Sequence, residues 1–372
     1  MIGYYVFIFI LLLILIFSEV TRKKGFDKLS IKREVLINSA VEGEEFKLSI
    51  IIENNKWMPI SFLYLSEKIP VELEFMEEES LVSSGELNYH ATKLNIRGYE
   101  RVKRNYIIKA SKRGTYLLRD IKVALGDAFG LYTKDVDMED YVELIVYPRL
   151  IDLKRLEFVT TSFQGDAIIK RWIYKDPLYI KGIREYTVED RMKDIHWKSS
   201  LKMNKLMVKD YDYTAEIELM IILNVECGDP YWSTIDASAI ERSAALAASL
   251  SKQSIKEGIP VGFWTNAQLV NFGNEALQEI APSLGAFKNI LELCARIDYT
   301  PRVSFSQYLL NKSRMLNRNT SYIVISSFLG EDSITLLSRL AKNGFMIKLV
   351  DVSSKSKLPS ISGIEKAIYN KK

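Results

Sequence analysis

The spacing of apolar residues changes halfway along this chain, and that change limits the folds that it can adopt. Between about residues 29 and 150 apolar and polar residues alternate, as they do from Phe46 to Ile52. Period two is typical of strands with one buried face. After about residue 215 the apolar residues form nearly continuous runs, such as Ile217–Val225, which are typical of strands buried on both faces. The sequence therefore predicts an all-β region followed by an α/β region.

The first region is predicted to be an immunoglobulin-like β-sandwich. About eight short strands are separated by turn residues such as Lys112-Arg113-Gly114, and one strand is predicted to run from Tyr116 to Val123. The region has neither a nucleophile–base pair nor a glycine-rich phosphate loop. We therefore expect it to act as a spacer or an interaction module.

The second region is predicted to be a doubly wound α/β domain, because buried strands alternate with segments of helical period. The predicted helices are Asp236–Glu257, Leu284–Ile297, Phe305–Leu316 and Ser333–Lys342. Ligands bind such sheets at the carboxyl ends of the strands. The residues there are Asn224–Gly228, Trp264–Asn266, Ser326–Ser327 and Asp351; we expect Asp351 to cap a helix or face solvent. Since the chain has no GxGxxG or Walker loop, a nucleotide site is not expected.

The N-terminus carries an uncharged apolar run from Met1 to Ser18, which is long enough for a short transmembrane helix. Arg22, Lys23, Lys24 and Lys28 follow it. Positive charge stays in the cytoplasm, so we expect a single-pass anchor with its N-terminus outside and the rest of the chain cytoplasmic. A cleaved signal peptide is the alternative, but it would place basic residues before the run. The expected organisation is an anchor (1–20), a β-sandwich (29–150), a connector (151–214) and an α/β domain (215–372).

Composition excludes several classes of function. The formal charge of +4 comes from 51 basic and 47 acidic residues, so no concentrated basic surface for nucleic acid is expected. Cys227 and Cys294 are the only cysteines, and they fit a reducing compartment rather than a disulfide framework. With only His90 and His196, a histidine-rich metal site is excluded.

The connector contains the most unusual segment of the chain, GIREYTVEDRMKDIHWKSSLKMNKLMVKD, from Gly182 to Asp210. It combines charged and aromatic residues without a clear period. The chain here resembles the DUF58 family of membrane-associated proteins, whose pattern is close to G-x-R-x-Y-x-x-G-D-x-x-R-x-I-x-W-K-x-S. The residues that match are Gly182, Arg184, Tyr186, Asp190, Ile195, Trp197, Lys198 and Ser200. Arg113-Gly114-Tyr116, Asp127–Leu131 and Val146–Pro148 also resemble family motifs, whereas Glu189 and Lys193 depart from the pattern.

The resemblance implies that the α/β domain is similar to a von Willebrand factor A domain. Metal-binding A domains carry D-x-S-x-S after the first strand, where this chain has Asn224, Glu226 and Gly228. The later acidic position falls near Ser327. Because only one carboxylate remains, we expect no cofactor and no Mg²⁺ site.

Three roles are open for the connector residues. In the first, Arg184 and Asp190 form an ion pair, Trp197 fills a groove between domains, and His196 faces solvent. In the second, arginine, tyrosine and tryptophan anchor a docking surface. In the third, Asp190 and His196 form an acid–base pair of a hydrolase, although neither Ser199 nor Ser200 lies in a G-x-S-x-G elbow.

We expect a non-enzymatic, membrane-anchored adaptor. The resemblance implies that it works with a MoxR-type AAA+ ATPase and other A-domain proteins in the assembly or maturation of protein complexes. The alternatives are a hydrolase that uses Asp190 and His196 and a metal-dependent adhesive A domain.

Overall fold

A computed structural model describes residues 2–35, 39–76, 81–84, 87–119, 121–153, 156–158, 180–187, 190, 192–211, 218–272, 279–354 and 358–369. The chain forms two compact units that divide between Arg149 and Leu150, and a short segment beginning at Val270 belongs to the first unit.

The first unit begins with helix α1, Ile2–Lys24. Its side chains from Tyr4 to Leu13 are exposed, whereas Ser18 and Thr21 near its end are buried. By length and composition this helix could cross a membrane or serve as a signal sequence. The predicted apolar helix is therefore present, and it projects from the unit with only its last turns packed.

Twelve strands follow in the described part of this unit, and the expectation of an all-β region is confirmed. They are β1 Leu29–Val35, β2 Ser39–Val41, β3 Glu45–Asn54, β4 Ile60–Pro70, β5 Leu73–Phe75, β6 Leu81–Ser84, β7 Leu87–Ile96, β8 Arg101–Ala110, β9 Gly114–Leu118, β10 Ile121–Gly126, β11 Thr133–Met138 and β12 Val142–Tyr147. One sheet has the order β1-β3-β8-β5, a second β11-β10-β4-β7-β6, and a third β2-β12-β9.

Alternation explains why the sheets face each other. Leu48, Ile50 and Ile52 of β3 are buried with Leu63 of β4 and Val123 of β10 in one core, and the intervening Ser49 and Ile51 lie on the other face of the strand. The prediction of one strand over Tyr116–Val123 is wrong. That stretch divides into β9 and β10, which lie in different sheets, so the chain crosses between sheets where one continuous strand was expected.

The second unit is a mixed α/β structure. Its strands are β13 Leu156–Phe158, β14 Ile180–Glu185, β15 Met207–Tyr211, β16 Glu218–Leu223, β17 Val261–Thr265, β18 Ala267–Leu269, β19 Ile280–Ser283, β20 Ile297–Pro301, β21 Thr320–Ser326, β22 Met346–Asp351 and β23 Glu365–Tyr369. Its α-helices are α2 Trp197–Met203, α3 Ala237–Lys256, α4 Phe287–Arg296, α5 Phe305–Lys312 and α6 Glu331–Lys342.

Seven strands form its main sheet, in the order β13-β23-β22-β21-β16-β17-β19. The five central strands are parallel, and both edge strands are antiparallel to their neighbours. We number six strands of this sheet 1 to 6 along the chain: β16, β17, β19, β21, β22 and β23. Read across the sheet from β19 to β23, their order is 3-2-1-4-5-6, which is a doubly wound order. β14 pairs with β15, and β18 with β20, in two small separate sheets.

The continuous apolar run of β16 is explained by helices on both faces of this sheet. Leu219, Ile221 and Leu223 lie in one core with α3 and α4. Met220 and Ile222 point the other way, into a core with α5 and α6. Both faces of the strand are therefore dry, as in other parallel sheets.

Two predicted helices are shorter than expected. The segment Leu284–Ile297 is helical only from Phe287 to Arg296, since Ile280–Ser283 forms an edge strand and Ile297 begins β20. The segment Phe305–Leu316 is α-helical to Lys312 and then tightens to a 3₁₀ turn over Ser313–Met315. The sequence reasoning did not predict β13, which lies within the expected connector and pairs with β23.

Candidate functional site

The motif segment folds into a small antiparallel pair, β14 and β15, with the short helix α2 between them. Tyr186 donates its backbone N–H to Leu206 O at 2.9 Å, and His196 donates to Met207 O at 2.8 Å. Both bonds hold the segment between the strands against the start of β15. The segment is a defined structure rather than an irregular linker.

Arg184 and Asp190 form a two-pronged ion pair on the surface of this segment. Arg184 Nη1 lies 2.7 Å from Asp190 Oδ2, and Arg184 Nη2 lies 2.5 Å from Oδ1. The backbone N–H and the hydroxyl of Thr187 each donate to Oδ2 at 2.8 Å. The Arg184 guanidinium, followed by the Thr187 donors, holds the pKa of Asp190 well below its usual range. Asp190 is therefore a permanent carboxylate at neutral pH.

His196 and Ser200 fix α2 in place. The His196 ring accepts a bond at Nδ1 from Ser199 N at 3.1 Å, which caps the helix. The buried Ser200 hydroxyl donates to His196 O at 3.1 Å and accepts from Met207 N at 2.8 Å. The expectation that His196 simply faces solvent is wrong, because the half-buried ring is occupied as a helix cap.

Trp197 is not packed into the core of its own unit, because 62% of its surface is exposed. Leu201, four residues later on the same side of α2, is 83% exposed. Met203 and Leu206 are also exposed. Four apolar side chains thus lie in water within ten residues, and we call them the α2 patch. A patch of this kind marks an interaction site more often than an isolated exposed residue does.

The remaining motif residues have smaller structural roles. Gly182 lies beside a register shift between β14 and β15, and a Cβ atom there would meet no other atom within 4 Å. Tyr186 is half-buried and Lys198 is exposed. Glu189, one of the two departures from the family pattern, lies outside the described residues. The backbone of Lys193, the other departure, lies in the 3₁₀ turn Met192–Asp194.

A second candidate site is the carboxyl edge of the main sheet, where the residues compared above with the metal positions of an A domain meet. Asn224 Nδ2 donates to Ser326 Oγ and to Phe328 O, both at 3.0 Å. Asn224 Oδ1 accepts from Glu226 N at 3.0 Å and from Asn266 Nδ2 at 2.9 Å. Asn266 Oδ1 in turn accepts from Val225 N at 3.0 Å. We call these bonded side chains of Asn224, Asn266 and Ser326 the amide network.

The amide network leaves Asn224 no free lone pair, since its carbonyl oxygen already accepts two bonds. The second position, Glu226, accepts from Phe305 N at 3.4 Å, and burial raises its pKa despite that bond. Ser327 Oγ lies 3.6 Å from Cys227 Sγ. In the described part of the chain no three His, Cys, Asp or Glu side chains are grouped to hold a metal. The donor set present therefore does not fit Mg²⁺.

Asp351, at the end of β22, is fully buried, so the expectation of a helix cap or a solvated residue is wrong. Its Oδ1 accepts from Ser353 N at 2.9 Å, and its Oδ2 accepts from Leu358 N at 3.1 Å. Lys366 Nζ of the neighbouring strand lies 2.9 Å from Oδ2. With its oxygens occupied by the protein, Asp351 is a structural brace.

Comparison with known proteins agrees with the family motif. Residues 182–365 match the family model described as "Protein of unknown function DUF58", so the match covers both candidate sites. The chain is 20% identical over 306 residues to the uncharacterized protein YeaD of Bacillus subtilis, which covers 79% of this chain and 69% of that protein.

Solved structures are similar over about a third of the chain. A non-cellulosomal cohesin from Archaeoglobus fulgidus is 14% identical over 32% of this chain and 91% of its own, with a TM-score of 0.24. The CARDB domain of a Pyrococcus furiosus protein is 7% identical over 32% of this chain and 86% of its own, with a TM-score of 0.21.

Sequence reasoning missed Leu201, Met203 and Leu206 as an exposed group. The signal available was the four-residue spacing of Trp197 and Leu201, which places two large apolar side chains together on a helix too short to bury both. Asn266 was identified only as a strand end, because its partner Asn224 lies 42 residues away in the chain.

Proposed function

We propose that this chain is a membrane-anchored, non-enzymatic adaptor whose α/β unit is a von Willebrand factor A-like domain that binds a protein partner through the α2 patch. The observation that carries the proposal is the exposure of Trp197 and Leu201 on a helix held rigidly by Ser200. Tryptophan and large apolar residues on a preformed support are typical interface anchors. The 3-2-1-4-5-6 strand order supports the A-like assignment.

The partner class comes from the family resemblance, which points to a MoxR-type AAA+ ATPase and to other A-domain proteins. A photo-crosslinking amino acid at position 201 of the full chain, activated in cells, tests this. We expect an AAA+ ATPase to be captured from position 201 but not from position 315, where the exposed Met315 of the same unit serves as control. Failure to capture any AAA+ ATPase would count against this partner.

Truncation of the patch gives an energetic test. Trp197→Ala is expected to weaken recovery of the partner by about tenfold or more, because an interface hot spot is typically worth about 2 kcal/mol and about 1.4 kcal/mol already makes a factor of ten. Met315→Ala is the matched control and is expected to change nothing. Equal recovery with both variants would remove α2 from the interface.

The hydrolase that uses Asp190 and His196 has less support. Arg184 and Thr187 keep Asp190 ionised, so it has no proton to give as an acid at neutral pH. Nδ1 of His196 is occupied by Ser199 N. Hydrolysis of ester or peptide substrates that is abolished by His196→Gln, a residue able to keep a polar cap, would restore this alternative.

The metal-dependent A domain is also less supported, because the amide network occupies the position of the first ligand. Calorimetry of the purified chain with Mg²⁺ or Mn²⁺ is expected to show no binding heat at micromolar concentrations. Heat that disappears in Glu226→Gln would establish a metal site despite the network.

For α1 we propose a single-pass anchor with its N-terminus outside and both units in the cytoplasm. Basic residues Arg22, Lys23 and Lys24 in its last turn support this orientation. A reporter fused after Lys372 is expected to be protected from external protease in intact cells. Digestion of the reporter would show that the orientation is the opposite one. Release of the fusion protein from the membrane in a shortened, soluble form would indicate a cleaved signal peptide.

A further inference from the structure

The end of the sandwich nearest α1 carries four exposed apolar side chains on three different loops. Strand register brings these loops to one end: Leu29 pairs with Asn54, Glu53 with Arg101, and Gly126 with Thr133. The loops are 55–59, 97–100 and 127–132. Their exposed apolar residues are Trp57, Tyr99, Phe129 and Leu131, which we call the rim.

The rim is a built surface rather than a set of loose loop tips. Asn55 N donates to Lys28 O and Tyr99 N to Lys56 O, both at 3.0 Å. A Cβ atom on Gly98 would lie 2.2 Å from Trp57 O, so the two loops meet at a distance that only glycine allows. Trp57 and Tyr99 are nevertheless 71% and 75% exposed. The hydrogen-bonded backbone of these loops thus holds two large aromatic side chains in an exposed position at this end of the sandwich.

The third loop grips the end of α1. The rings of Phe17 and Phe129 meet edge to face, with centroids 6.3 Å apart. The buried Asp127 accepts from Leu131 N at 2.9 Å. Burial opposes its ionisation, but bonds from the Ser18 hydroxyl and from loop N–H groups hold its pKa below the usual value. A Cβ atom on Gly25 would lie 2.5 Å from Thr21 O and 2.7 Å from the Leu125 side chain. The sandwich is therefore packed directly on the last turns of the helix.

This packing fixes the depth of Phe129 relative to the helix. Phe17 lies one residue before Ser18, which is the last residue of the uncharged run, because Glu19 follows it. In a bilayer spanned by α1, Phe17 lies where hydrocarbon gives way to headgroups. Phe129 touches Phe17 and so lies at the same level. Tryptophan and tyrosine are the residues most favoured at that boundary.

The charged residues around the rim also favour contact with a lipid surface. Residues 22–28, 55–59, 97–100 and 127–134 together carry seven basic and three acidic side chains. Lys56 and Asp127 are buried, which leaves six basic and two acidic side chains at the surface. Lys134 places its ammonium 5.7 Å from the centroid of the Phe26 ring, beside the helix end. Basic groups around an apolar rim match an anionic lipid surface.

We propose that the rim is a second membrane contact, in which Trp57, Tyr99, Phe129 and Leu131 insert into the headgroup region of the bilayer that α1 spans. The inference rests on the proposed anchor. It adds that the sandwich lies on the membrane surface instead of standing away from it as a spacer.

Spin-label accessibility in the full chain tests this. Single cysteines at positions 57, 99 and 131, in a Cys227→Ser, Cys294→Ala background, would carry a nitroxide in nanodiscs of phosphatidylcholine and phosphatidylglycerol. We expect the rim labels to be more accessible to oxygen than to a water-soluble nickel chelate. A label at position 141 is the control. Tyr141 is 58% exposed and follows β11, whose six residues lead about 17 Å away from the rim loop.

The outcomes separate the inference from the anchor itself. A label at position 12 reports α1: if it is bathed in water, the anchor fails. If it lies in hydrocarbon while the rim labels behave like position 141, only the rim contact fails. Rim labels shielded from both reagents would mean that protein covers the rim, which also overturns the proposal. If the cysteine-free background does not fold, tryptophan fluorescence of the unlabelled chain gives the same decision. The difference between the parent and Trp57→Phe isolates the Trp57 signal, and brominated lipid should quench that signal if Trp57 contacts the bilayer.

Discussion

Two arginine–carboxylate pairs, one in each unit, show how burial changes the role of the same chemistry. Arg33 Nε lies 2.7 Å from Glu67 Oε1 inside the sandwich, where both side chains are almost completely buried. Arg184 and Asp190 make an equally close pair with the arginine side chain 45% exposed. Removing water makes the first pair costly to break, whereas water competes with the second. Breaking the buried pair is therefore expected to destabilise the whole unit, whereas the exposed pair shapes a local turn.

The largest expected effect comes from breaking the buried pair. Glu67→Ala removes the carboxylate that Arg33 Nε contacts and leaves the buried guanidinium with Asp140, whose Oδ2 lies 3.6 Å from Nη1. We expect a loss of about 3 kcal/mol of unfolding free energy, because a buried charge loses its nearest partner. Denaturant unfolding of the chain measures it. The double variant Arg33→Met, Glu67→Met is the control, and it should recover most of the loss. A double variant as unstable as the single one would show that packing, not charge, explains the result.

The next effect concerns the amide network. Asn224→Asp replaces the Nδ2 donor by an oxygen facing Ser326 Oγ and Phe328 O, so we expect a loss of about 2–3 kcal/mol. Thermal unfolding is the measurement. Asn289→Asp, on the exposed first turn of α4, is the matched control and should cost nothing. A stable Asn224→Asp protein would mean that the network is not what closes this edge of the sheet.

A smaller effect is expected at the helix that carries the α2 patch. Ser200→Ala removes the acceptor of the Met207 N–H, and we expect a loss of about 1–2 kcal/mol. Hydrogen exchange at Met207 should rise with it. The neighbouring Ser199→Ala serves as comparison. If Ser200→Ala leaves exchange unchanged, α2 is not fastened through this hydroxyl.

The smallest effect is expected at the exposed pair, and it depends on pH. Because the folded-state pKa of Asp190 lies below its unfolded value, the pair stabilises the protein above pH ~4 and loses that contribution as the pH falls. Asp190→Asn should therefore differ slightly from the parent at pH 7 and converge with it in acid. Melting temperatures from pH 7 to pH 2 test this. A difference that grows in acid would contradict the sign.

The sequence predicted the two fold classes because the evidence was local. Alternation in β3 and a continuous apolar run in β16 each follow from which faces lose water. The break between β9 and β10 was missed, since nothing in the apolar pattern of Tyr116–Val123 marks a change of sheet. The exposure of Trp197 was missed for a similar reason: an aromatic residue predicts contact, but not whether the contact is inside the chain or with another molecule. The rim was missed because its residues are up to 74 positions apart in the chain, from Trp57 to Leu131, and only strand register brings them together.

The edges of the seven-stranded sheet bear on how this protein behaves at high local concentration. β13 has three residues and β19 has four, and both run antiparallel to their neighbours. Pro282 within β19 carries no N–H, so it interrupts the row of backbone donors along this strand. Copies of the chain that meet at high concentration find only short edge strands in the described part of this sheet, and short edges are poor templates for cross-β association. The short edge strands of this sheet are therefore expected to limit edge-to-edge aggregation.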